Sequence, residues 1–366
     1  MLHIFVGTKA QFIKMAPIMH ELDRRGITYN FIDAGQHAGL TSDLVDQFKL
    51  RAPDVYLRKN NKSIVRLTEA ISWVAKSAWD LISKKNRIYR EIFNSQGGVC
   101  LIHGDTLTTL LSLIYAKHCG LKVVHVEAGL RSHHFFDPFP EEIIRVISMK
   151  YSDLLFAPST WAYENICQMG YKNKSINIKY NTGLDSVRFA MQMMDGRYRP
   201  EESYVVFTTH RFETIFSRKR MKKIVSLAER IAKDYKVLFV LHEPTYRQLL
   251  RFNLYDIVKK NKRIETLSLQ SYPVFIDLLA GAEYIVTDGG SIQEESYFIN
   301  IPCLVMREKT ERMEGIGENI YLAGFDENRV EKFFDQIPSL RRKETEIKKS
   351  PSSCIVDYIL SNNFIN

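Results

Sequence analysis

The sequence predicts an α/β protein with two doubly wound domains, each a parallel sheet covered by helices on both faces. Near-continuous apolar strands alternate with helical segments, and this alternation is found in both halves of the chain. Strands of a parallel sheet are buried on both faces, so they read as unbroken apolar runs. The length of 366 residues agrees, because a typical domain has roughly 150 residues.

In the first half, β-branched and aromatic runs predict strands. These strands are residues 2–8, Tyr29–Ala34, Gly98–Gly104, Lys122–Ala128 and Leu154–Pro158. Helical spacing is found over Ile13–Arg25, over about 63–95, and from Glu141 onward. Each helix follows a strand, as in a βαβ unit.

The second half has the same pattern. Its predicted strands are Tyr204–His210, Val237–His242, Ile264–Leu267, residues 284–287 and Cys303–Met306. A boundary falls near 170–185, which divides the chain into a first domain over 1–172 and a second over 173–345. Residues 346–366 are expected to form a C-terminal helix that packs back on the first domain.

Composition excludes several classes of protein. The net charge is +9, but the basic clusters 218–223 and 341–343 lack interleaved aromatic residues, so we expect a solvated surface and no nucleic-acid partner. We expect no leader peptide, and no apolar stretch reaches the roughly 18–20 residues that span a membrane. The five scattered cysteines have no metal-ligand spacing, which predicts free thiols in a reducing cytoplasm and no metal. No G-x-G-x-x-G turn is present, which argues against a dinucleotide cofactor.

A glycine turn follows the strand at 284–287. Gly289 and Gly290 allow backbone N–H groups to approach a ligand, and the helix behind them favours a phosphate. Ser291 and Glu294 have capping-box spacing, which leaves Glu295 to accept hydrogen bonds from sugar hydroxyls. A simple glycine turn with a helix cap is an equally open interpretation.

Acidic residues stand at the ends of two predicted strands. Asp105 follows the strand 98–104, where it could also be the N-cap of the next helix. Glu127 closes an apolar strand, and packing does not explain an acid there. Glu141 starts a helix, and Arg145 one turn later could simply form an ion pair within that helix.

Basic residues follow strands of the second half. His210 and Arg211 end the strand 204–210, and this pair suits a diphosphate. Arg312 comes shortly after the strand 303–306. His242 ends another strand and is a further candidate, although it could equally cap a loop.

Taken together, these segments resemble the bacterial UDP-N-acetylglucosamine 2-epimerases nearly from end to end. The motifs that carry the resemblance are Gly7–Pro17, His103–Thr106, His125–Arg131, Pro138–Glu142 with Arg145, Thr209–Arg211, Asp288–Glu295, and Val305–Arg307 with Thr310–Arg312. Each is weak alone, but their order and spacing are specific to the family.

The resemblance implies a GT-B-like fold of two Rossmann-like domains with the active site in the cleft. It also implies a reaction that inverts carbon 2 of the sugar by eliminating UDP to a glycal and adding it back. The catalytic groups it implies are Asp105, Glu127, Glu141 and His210. The substrate-binding groups it implies are Lys9, Lys14, Arg145, Arg211, Gly289, Gly290, Ser291, Glu295 and Arg312. It further implies a UDP-sugar substrate, no cofactor, a homodimer formed through helices of the first domain, and a role in surface polysaccharide synthesis.

The chain departs from the family pattern at a few positions. It has Thr8-Lys9-Ala10-Gln11 where Thr-Arg-Pro-Glu is usual, and its serine follows the two glycines. Gln36-His37 is similar to a segment linked to allosteric substrate binding, but the next residues do not continue it. The alternatives are a hydrolysing epimerase, an epimerase of a related UDP-sugar, a sugar-nucleotide-binding protein without catalysis and a GT-B glycosyltransferase.

Overall fold

The structure is a computed structural model. It describes residues 1–35, 40–57, 85–134, 139–194, 196–310, 312–340, 349–362 and 364. Most of the predicted helical region 63–95 lies outside these residues, as do Gln36-His37, Pro138, Glu311 and the basic cluster 341–343. The chain forms two compact units, Met1–Ser186 with Lys348–Asn366, and Val187–Ile347.

The first unit contains a seven-stranded parallel sheet in the order β3-β2-β1-β4-β5-β6-β7. Its strands are β1 Leu2–Val6, β2 Tyr29–Asp33, β3 Val55–Tyr56, β4 Val99–His103, β5 Lys122–Val126, β6 Leu154–Ala157 and β7 Ser175–Asn177. Its helices are α1 Lys9–Arg24, α2 Leu40–Gln47, α3 Lys85–Glu91, α4 Leu107–His118, α5 Glu141–Tyr151 and α6 Thr160–Gln168. Helix α7, Gly183–Met194, carries the chain into the second unit.

The second unit contains a six-stranded parallel sheet in the order β10-β9-β8-β11-β12-β13. Its strands are β8 Tyr204–Thr209, β9 Lys236–Leu241, β10 Ile264–Leu267, β11 Ile285–Thr287, β12 Cys303–Val305 and β13 Ile320–Leu322. Its helices are α8 Phe212–Ile215, α9 Arg218–Ile231, α10 Glu243–Arg251, α11 Tyr255–Lys260, α12 Tyr272–Ala280, α13 Gly290–Phe298 and α14 Glu327–Gln336.

These two sheets confirm the predicted doubly wound α/β class. Every residue of β1, β2, β4 and β8 is buried, as expected for central parallel strands. Strand β7 pairs with β6, so the first sheet continues past residue 172 and the units divide at 186/187, where the sequence had suggested 172/173.

The last helix, α15 Pro351–Ser361, belongs to the first unit. It lies against α1, where Arg25 Nη1 contacts Asp357 Oδ1 at 2.6 Å. Ser350 Oγ donates to Asp185 Oδ2 at 2.8 Å, and the Tyr358 ring packs edge-on against Phe156. The C-terminal helix therefore packs on the first unit.

Each sheet has one point at which the chain reverses its direction of winding. In the first sheet this point lies between β1 and β4, and in the second between β8 and β11. Ligands of doubly wound sheets bind beyond the carboxyl ends of the strands at such a point. The predicted residues Lys9 and Asp105 follow the first pair of strands, and His210 and Gly289 follow the second.

Candidate functional site

Glu127 is the buried acid at the end of β5. Its Oε1 accepts hydrogen bonds from Lys14 Nζ at 2.5 Å and Asn181 Nδ2 at 2.6 Å. Its Oε2 lies 3.4 Å from His103 Nε2. Glu127 has a φ of +63°, a left-handed conformation that is uncommon for a residue with a side chain. Such strain gathers at functional sites, so these contacts hold an acid in a conformation that packing alone does not favour.

Asp105 does not cap the helix that follows it. Thr106 is the N-cap of α4, and its side chain and that of Thr109 form a reciprocal capping box. Asp105 instead contacts Arg145, whose Nε donates to Asp105 Oδ2 at 2.7 Å and whose Nη2 lies 2.5 Å from the same oxygen. The capping alternative for Asp105 is therefore wrong.

Helix α5 begins at Glu141, as predicted, and brings the neighbouring acid Glu142 into the protein interior. Glu142 is fully buried, and its Oε2 accepts a hydrogen bond from Arg145 Nη1 at 3.3 Å. The expected ion pair within this helix thus exists, and Glu142 forms it. Arg145 also reaches Asp105, so it joins helix α5 to the end of β4.

Gln11 connects the ends of β1 and β4, between which the first sheet reverses its direction of winding. We call such a place the switch point of a sheet. Its side-chain oxygen accepts from Gly7 N at 3.1 Å, and its Nε2 lies 2.8 Å from both His103 O and Thr106 Oγ1. Lys9, the predicted substrate-binding residue, is the first residue of α1 and is partly exposed. A neutral amide thus fixes the ends of β1 and β4 relative to each other.

His125 braces the turn that presents Asp105. It is buried, and its Nε2 lies 2.8 Å from Gly104 O, which requires the proton to be on Nε2 because a carbonyl only accepts. Burial lowers the pKa of His125 to about 4. The ring is therefore neutral at neutral pH and acts as a fixed hydrogen-bond donor.

In the second unit, Asp288 joins the ends of β8 and β11. It is fully buried and accepts hydrogen bonds from Thr209 Oγ1 at 2.5 Å, His210 N at 2.9 Å and Arg211 N at 3.1 Å. Burial lowers the pKa of His210, and the Asp288 carboxylate only partly offsets this. The His210 ring stacks on His242 with centroids 4.7 Å apart. Asp288 thus sets the backbone from which His210 and Arg211 project.

The glycine turn begins α13, but in a different way from the sequence prediction. Gly289 is the N-cap, no side chain caps this fully described helix, and Ser291 is an exposed residue of its first turn. The predicted capping box of Ser291 and Glu294 is therefore wrong. A Cβ at Gly289 would lie 2.7 Å from Cε1 of His210, so the glycine leaves room for that ring.

Glu294 and Glu295 have different surroundings. Glu294 is buried and accepts a hydrogen bond from Arg312 Nη1 at 3.0 Å. Glu295 is partly exposed. Burial first, and then the charges of Glu295 and Glu294, hold the pKa of Tyr272 well above its usual range. The Tyr272 hydroxyl thus stays protonated beside the acid that the sequence assigned to ribose.

The loop that carries Arg312 is held by Gln293. Gln293 Nε2 donates to Arg312 O at 2.9 Å, and Thr310 Oγ1 donates to Gln293 Oε1 at 2.9 Å. Arg312 Cδ and Nε lie 3.4 Å from the position of a Cβ at Gly290. The arginine side chain therefore passes over the first turn of α13, where it adds positive charge to the helix N-terminus.

Contacts in the structure bring some of the predicted residues together, in one set in each unit. The first set contains Lys14, Asp105, Glu127 and Arg145, and the second contains His210, Arg211, Gly289, Gly290 and Arg312. Sequence reasoning missed Asn181, Glu142, Asp288 and Gln293 as members. Their signal was weak, because each is a polar residue whose partners become neighbours only in the fold. Among the described residues, no group of three or more His, Cys, Asp or Glu side chains could hold a metal ion.

The chain is similar over most of its length to one family of known proteins. The family profile described as UDP-N-acetylglucosamine 2-epimerase matches residues 20–353. The UDP-N-acetylglucosamine 2-epimerase of Methanocaldococcus jannaschii is 31% identical over 332 residues, which are 87% of each chain. The enzyme of that name from Bacillus subtilis is 26% identical over 90% of this chain and 85% of its own.

Solved structures give the same likeness. A crystal structure of the Methanocaldococcus jannaschii UDP-GlcNAc 2-epimerase in complex with UDP-GlcNAc and UDP matches with a TM-score of 0.80 and 28% identity, over 99% of both chains. The Neisseria meningitidis UDP-GlcNAc 2-epimerase bound to UDP-GlcNAc matches with a TM-score of 0.82 and 23% identity, again over 99% of both. The predicted GT-B-like fold class is confirmed. In the described part of the chain, no helix is long and apolar enough to cross a membrane.

Proposed function

We propose that this chain, which belongs to the UDP-N-acetylglucosamine 2-epimerase family, interconverts UDP-N-acetylglucosamine and UDP-N-acetylmannosamine. The observation that carries the proposal is the pair of acids that end two adjacent strands of the first sheet. Asp105 follows β4 and Glu127 follows β5, and each is contacted by a basic side chain, Arg145 and Lys14 respectively.

The reaction begins with elimination of UDP. A carboxylate takes the proton from carbon 2 while the bond between carbon 1 and the diphosphate oxygen breaks, which leaves a glycal and UDP. The C–H bond at carbon 2 is only weakly acidic, so loss of its proton must be concerted with the departure of UDP. UDP then adds back to carbon 1 while a proton is delivered to the opposite face of carbon 2. Two faces require more than one acid, and Asp105, Glu127 and Glu141 are the candidates.

In the proposal, the second unit holds UDP. The diphosphate lies against the backbone N–H groups at the start of α13, near His210, Arg211 and Arg312. Positive groups and backbone donors that are already in place stabilise a leaving diphosphate at the moment when its charge develops. Glu295 accepts hydrogen bonds from the ribose hydroxyls, beside the Tyr272 hydroxyl, which the raised pKa keeps protonated. Lys9, Lys14 and Ser291 complete the proposed substrate contacts.

Proton NMR with UDP-N-acetylglucosamine in deuterated water tests this function. We expect a UDP-linked manno sugar that carries deuterium at carbon 2. Free N-acetylmannosamine and UDP would instead identify a hydrolysing epimerase. Ordinary UDP binding without turnover would contradict both, and would direct attention to a related UDP-sugar or to a GT-B glycosyltransferase.

We also propose a homodimer in the cytoplasm that supplies UDP-N-acetylmannosamine for a surface polysaccharide. The five free cysteines agree with a reducing compartment. Light scattering coupled to size-exclusion chromatography tests the dimer, and a single species near the 42.6 kDa mass of the chain would contradict it.

A further inference from the structure

Glu142 lies at the centre of a buried charged network, and the catalytic proposal gives this acid no role. Its Oε1 accepts from Arg131 Nε at 2.5 Å and from His133 N at 3.3 Å. Its Oε2 accepts from Ser132 N at 3.1 Å and from Arg145 Nη1 at 3.3 Å. The side chain has no exposed surface. Glu142 therefore makes four hydrogen bonds from a position that solvent does not reach.

This arrangement excludes a direct part in proton transfer. A carboxylate oxygen has two lone pairs, and both oxygens of Glu142 already have two donors. Burial opposes ionisation, but the hydrogen bonds from Arg131 and the Ser132 amide, with the positive charges of Arg131 and Arg145, lower the pKa of Glu142 below its ordinary value. The group is thus a permanent anion that accepts from fixed partners.

The partners of Glu142 lead to the proposed catalytic acids. Arg145 donates to Glu142 through Nη1 and contacts Asp105 through Nε and Nη2, so one guanidinium connects the two carboxylates. Arg131, Ser132 and His133 belong to the loop that follows Glu127. Glu142 is also the immediate neighbour of Glu141 on α5.

We propose that Glu142 is a positioning residue, which orients Asp105 through Arg145 and anchors the loop after Glu127 to the start of α5. This inference rests on the proposed function, because it concerns how the acids of that reaction are held. A guanidinium that is fixed on one side by Glu142 presents its remaining N–H groups to Asp105 in one orientation. Precise orientation of reacting groups is worth up to about a hundredfold in rate for a displacement of about 1 Å.

The variant Glu142→Gln tests the proposal with almost no change in volume. One oxygen becomes an NH₂ group, which donates hydrogen bonds and cannot accept them. On either the Arg131 side or the Arg145 side, two donors then oppose each other. We expect kcat to fall about 10- to 100-fold, while KM changes less than about threefold because the residues proposed to hold the diphosphate and the ribose lie in the other unit. The proposal would be overturned if the activity fell only in proportion to the amount of folded protein. A rise in KM with an unchanged kcat would overturn it as well.

A double-mutant cycle with Arg145→Lys tests the route. If Glu142 acts through Arg145, Glu142→Gln should lower the rate of carbon 2 exchange much less in the Arg145→Lys background than in the wild type. Independent, multiplying effects would overturn the route. Asp277→Asn is the matched control, because Asp277 is a fully buried acid that braces the chain at Gly196–Arg199 in the other unit. We expect it to lower stability and to leave kcat unchanged.

A readout that needs no turnover separates this inference from the proposed function. In ¹⁵N-arginine-labelled protein, the Nε–Hε signal of Arg145, identified by its loss in Arg145→Lys, should be protected from solvent exchange. Glu142→Gln should shift this signal and speed its exchange. A wild type without carbon 2 exchange would refute the proposed function alone. An Arg145 signal that is unchanged in Glu142→Gln would refute the positioning role alone.

Discussion

Replacing Asp288 with asparagine should weaken UDP binding, because this acid holds the backbone of two proposed phosphate ligands. Asp288 Oδ1 accepts from His210 N, and Oδ2 accepts from Thr209 Oγ1 and Arg211 N. Asparagine keeps the shape and replaces one oxygen by NH₂. The Thr209 hydroxyl can turn and accept from that NH₂, but a backbone N–H cannot.

The magnitude follows from this count. Whichever way the asparagine is turned, either His210 N–H or Arg211 N–H loses its acceptor. A buried donor left without an acceptor costs about 1–3 kcal/mol. The strand end relieves this cost by moving, and UDP binding must then restore the original geometry. If about half of the cost, about 0.5–1.5 kcal/mol, appears in binding, the affinity falls about two- to twelvefold, since 1.4 kcal/mol is a factor of ten.

Isothermal titration with UDP measures the affinity, and urea unfolding measures the stability. Asp277→Asn is again the matched control, since Asp277 is fully buried and accepts from Gly196 N, Tyr198 N and Arg199 Nε, each at 3.0 Å. Both variants should lose stability, but only Asp288→Asn should lose affinity. Wild-type affinity in Asp288→Asn would refute the reasoning, and equal losses in both variants would reduce the effect to general destabilisation.

Three further predictions concern the first unit. Gln11→Glu should destabilise the protein by about 1–3 kcal/mol at pH 7, because a carboxylate cannot donate to His103 O; the deficit relative to wild type in urea unfolding should shrink as pH falls and the new carboxyl is protonated. Gly129→Ala should cost far more stability than Gly120→Ala, since both glycines have positive φ but only the Cβ at 129 would meet a carbonyl oxygen, at 2.2 Å; equal thermal shifts would contradict this. Burial lowers the pKa of His3 to about 4 from an ordinary 6.5. Between these two pKa values the unfolded chain is protonated at His3 and the folded chain is not, so the free energy of unfolding should fall by about 2 kcal/mol from pH 7 to pH 5. His3→Gln should flatten that pH dependence.

The central strands could be predicted from the sequence, and so could the edge strand β10, but the edge strands β3, β7 and β13 could not. Strands such as β1 and β8 are buried throughout and give an unbroken apolar signal. Strands β3, β7 and β13 have only two or three residues, and some of these are partly exposed. An edge strand is defined by pairing with its neighbour, and composition does not record pairing.

The helix starts show a second limit of sequence reasoning. At α4 the capping residue is Thr106, with Thr109 as its partner; a capping box usually has Glu or Gln at that place, so the sequence pointed to the neighbouring Asp105. At α13 the spacing of Ser291 and Glu294 matched a capping box, but Glu294 pairs with Arg312. In both helices a tertiary contact of an acid decided between local patterns of similar strength.

The candidate acids themselves could be predicted, because an acid that ends an apolar strand is costly without a purpose. Their partners could not. Lys14 lies 113 residues from Glu127 in sequence, and Asn181 lies 54 residues from it. Only the order of strands in the sheet brings these side chains together. The candidate acids were therefore visible as single residues, whereas their charged and hydrogen-bonding partners required the fold.

The two units fasten their switch points with chemically different side chains, and the difference follows from what each site must hold. In the second unit the brace is the anion Asp288, and an anion there can be tolerated because Arg211 and Arg312 lie close to the same turn. In the first unit the brace is the neutral amide of Gln11, beside the turn that carries Asp105. A further carboxylate there would repel the acids that the proposed reaction needs. The neutral amide of Gln11 holds the same geometry without repelling these acids, whose negative charges are then balanced by Lys14 and Arg145.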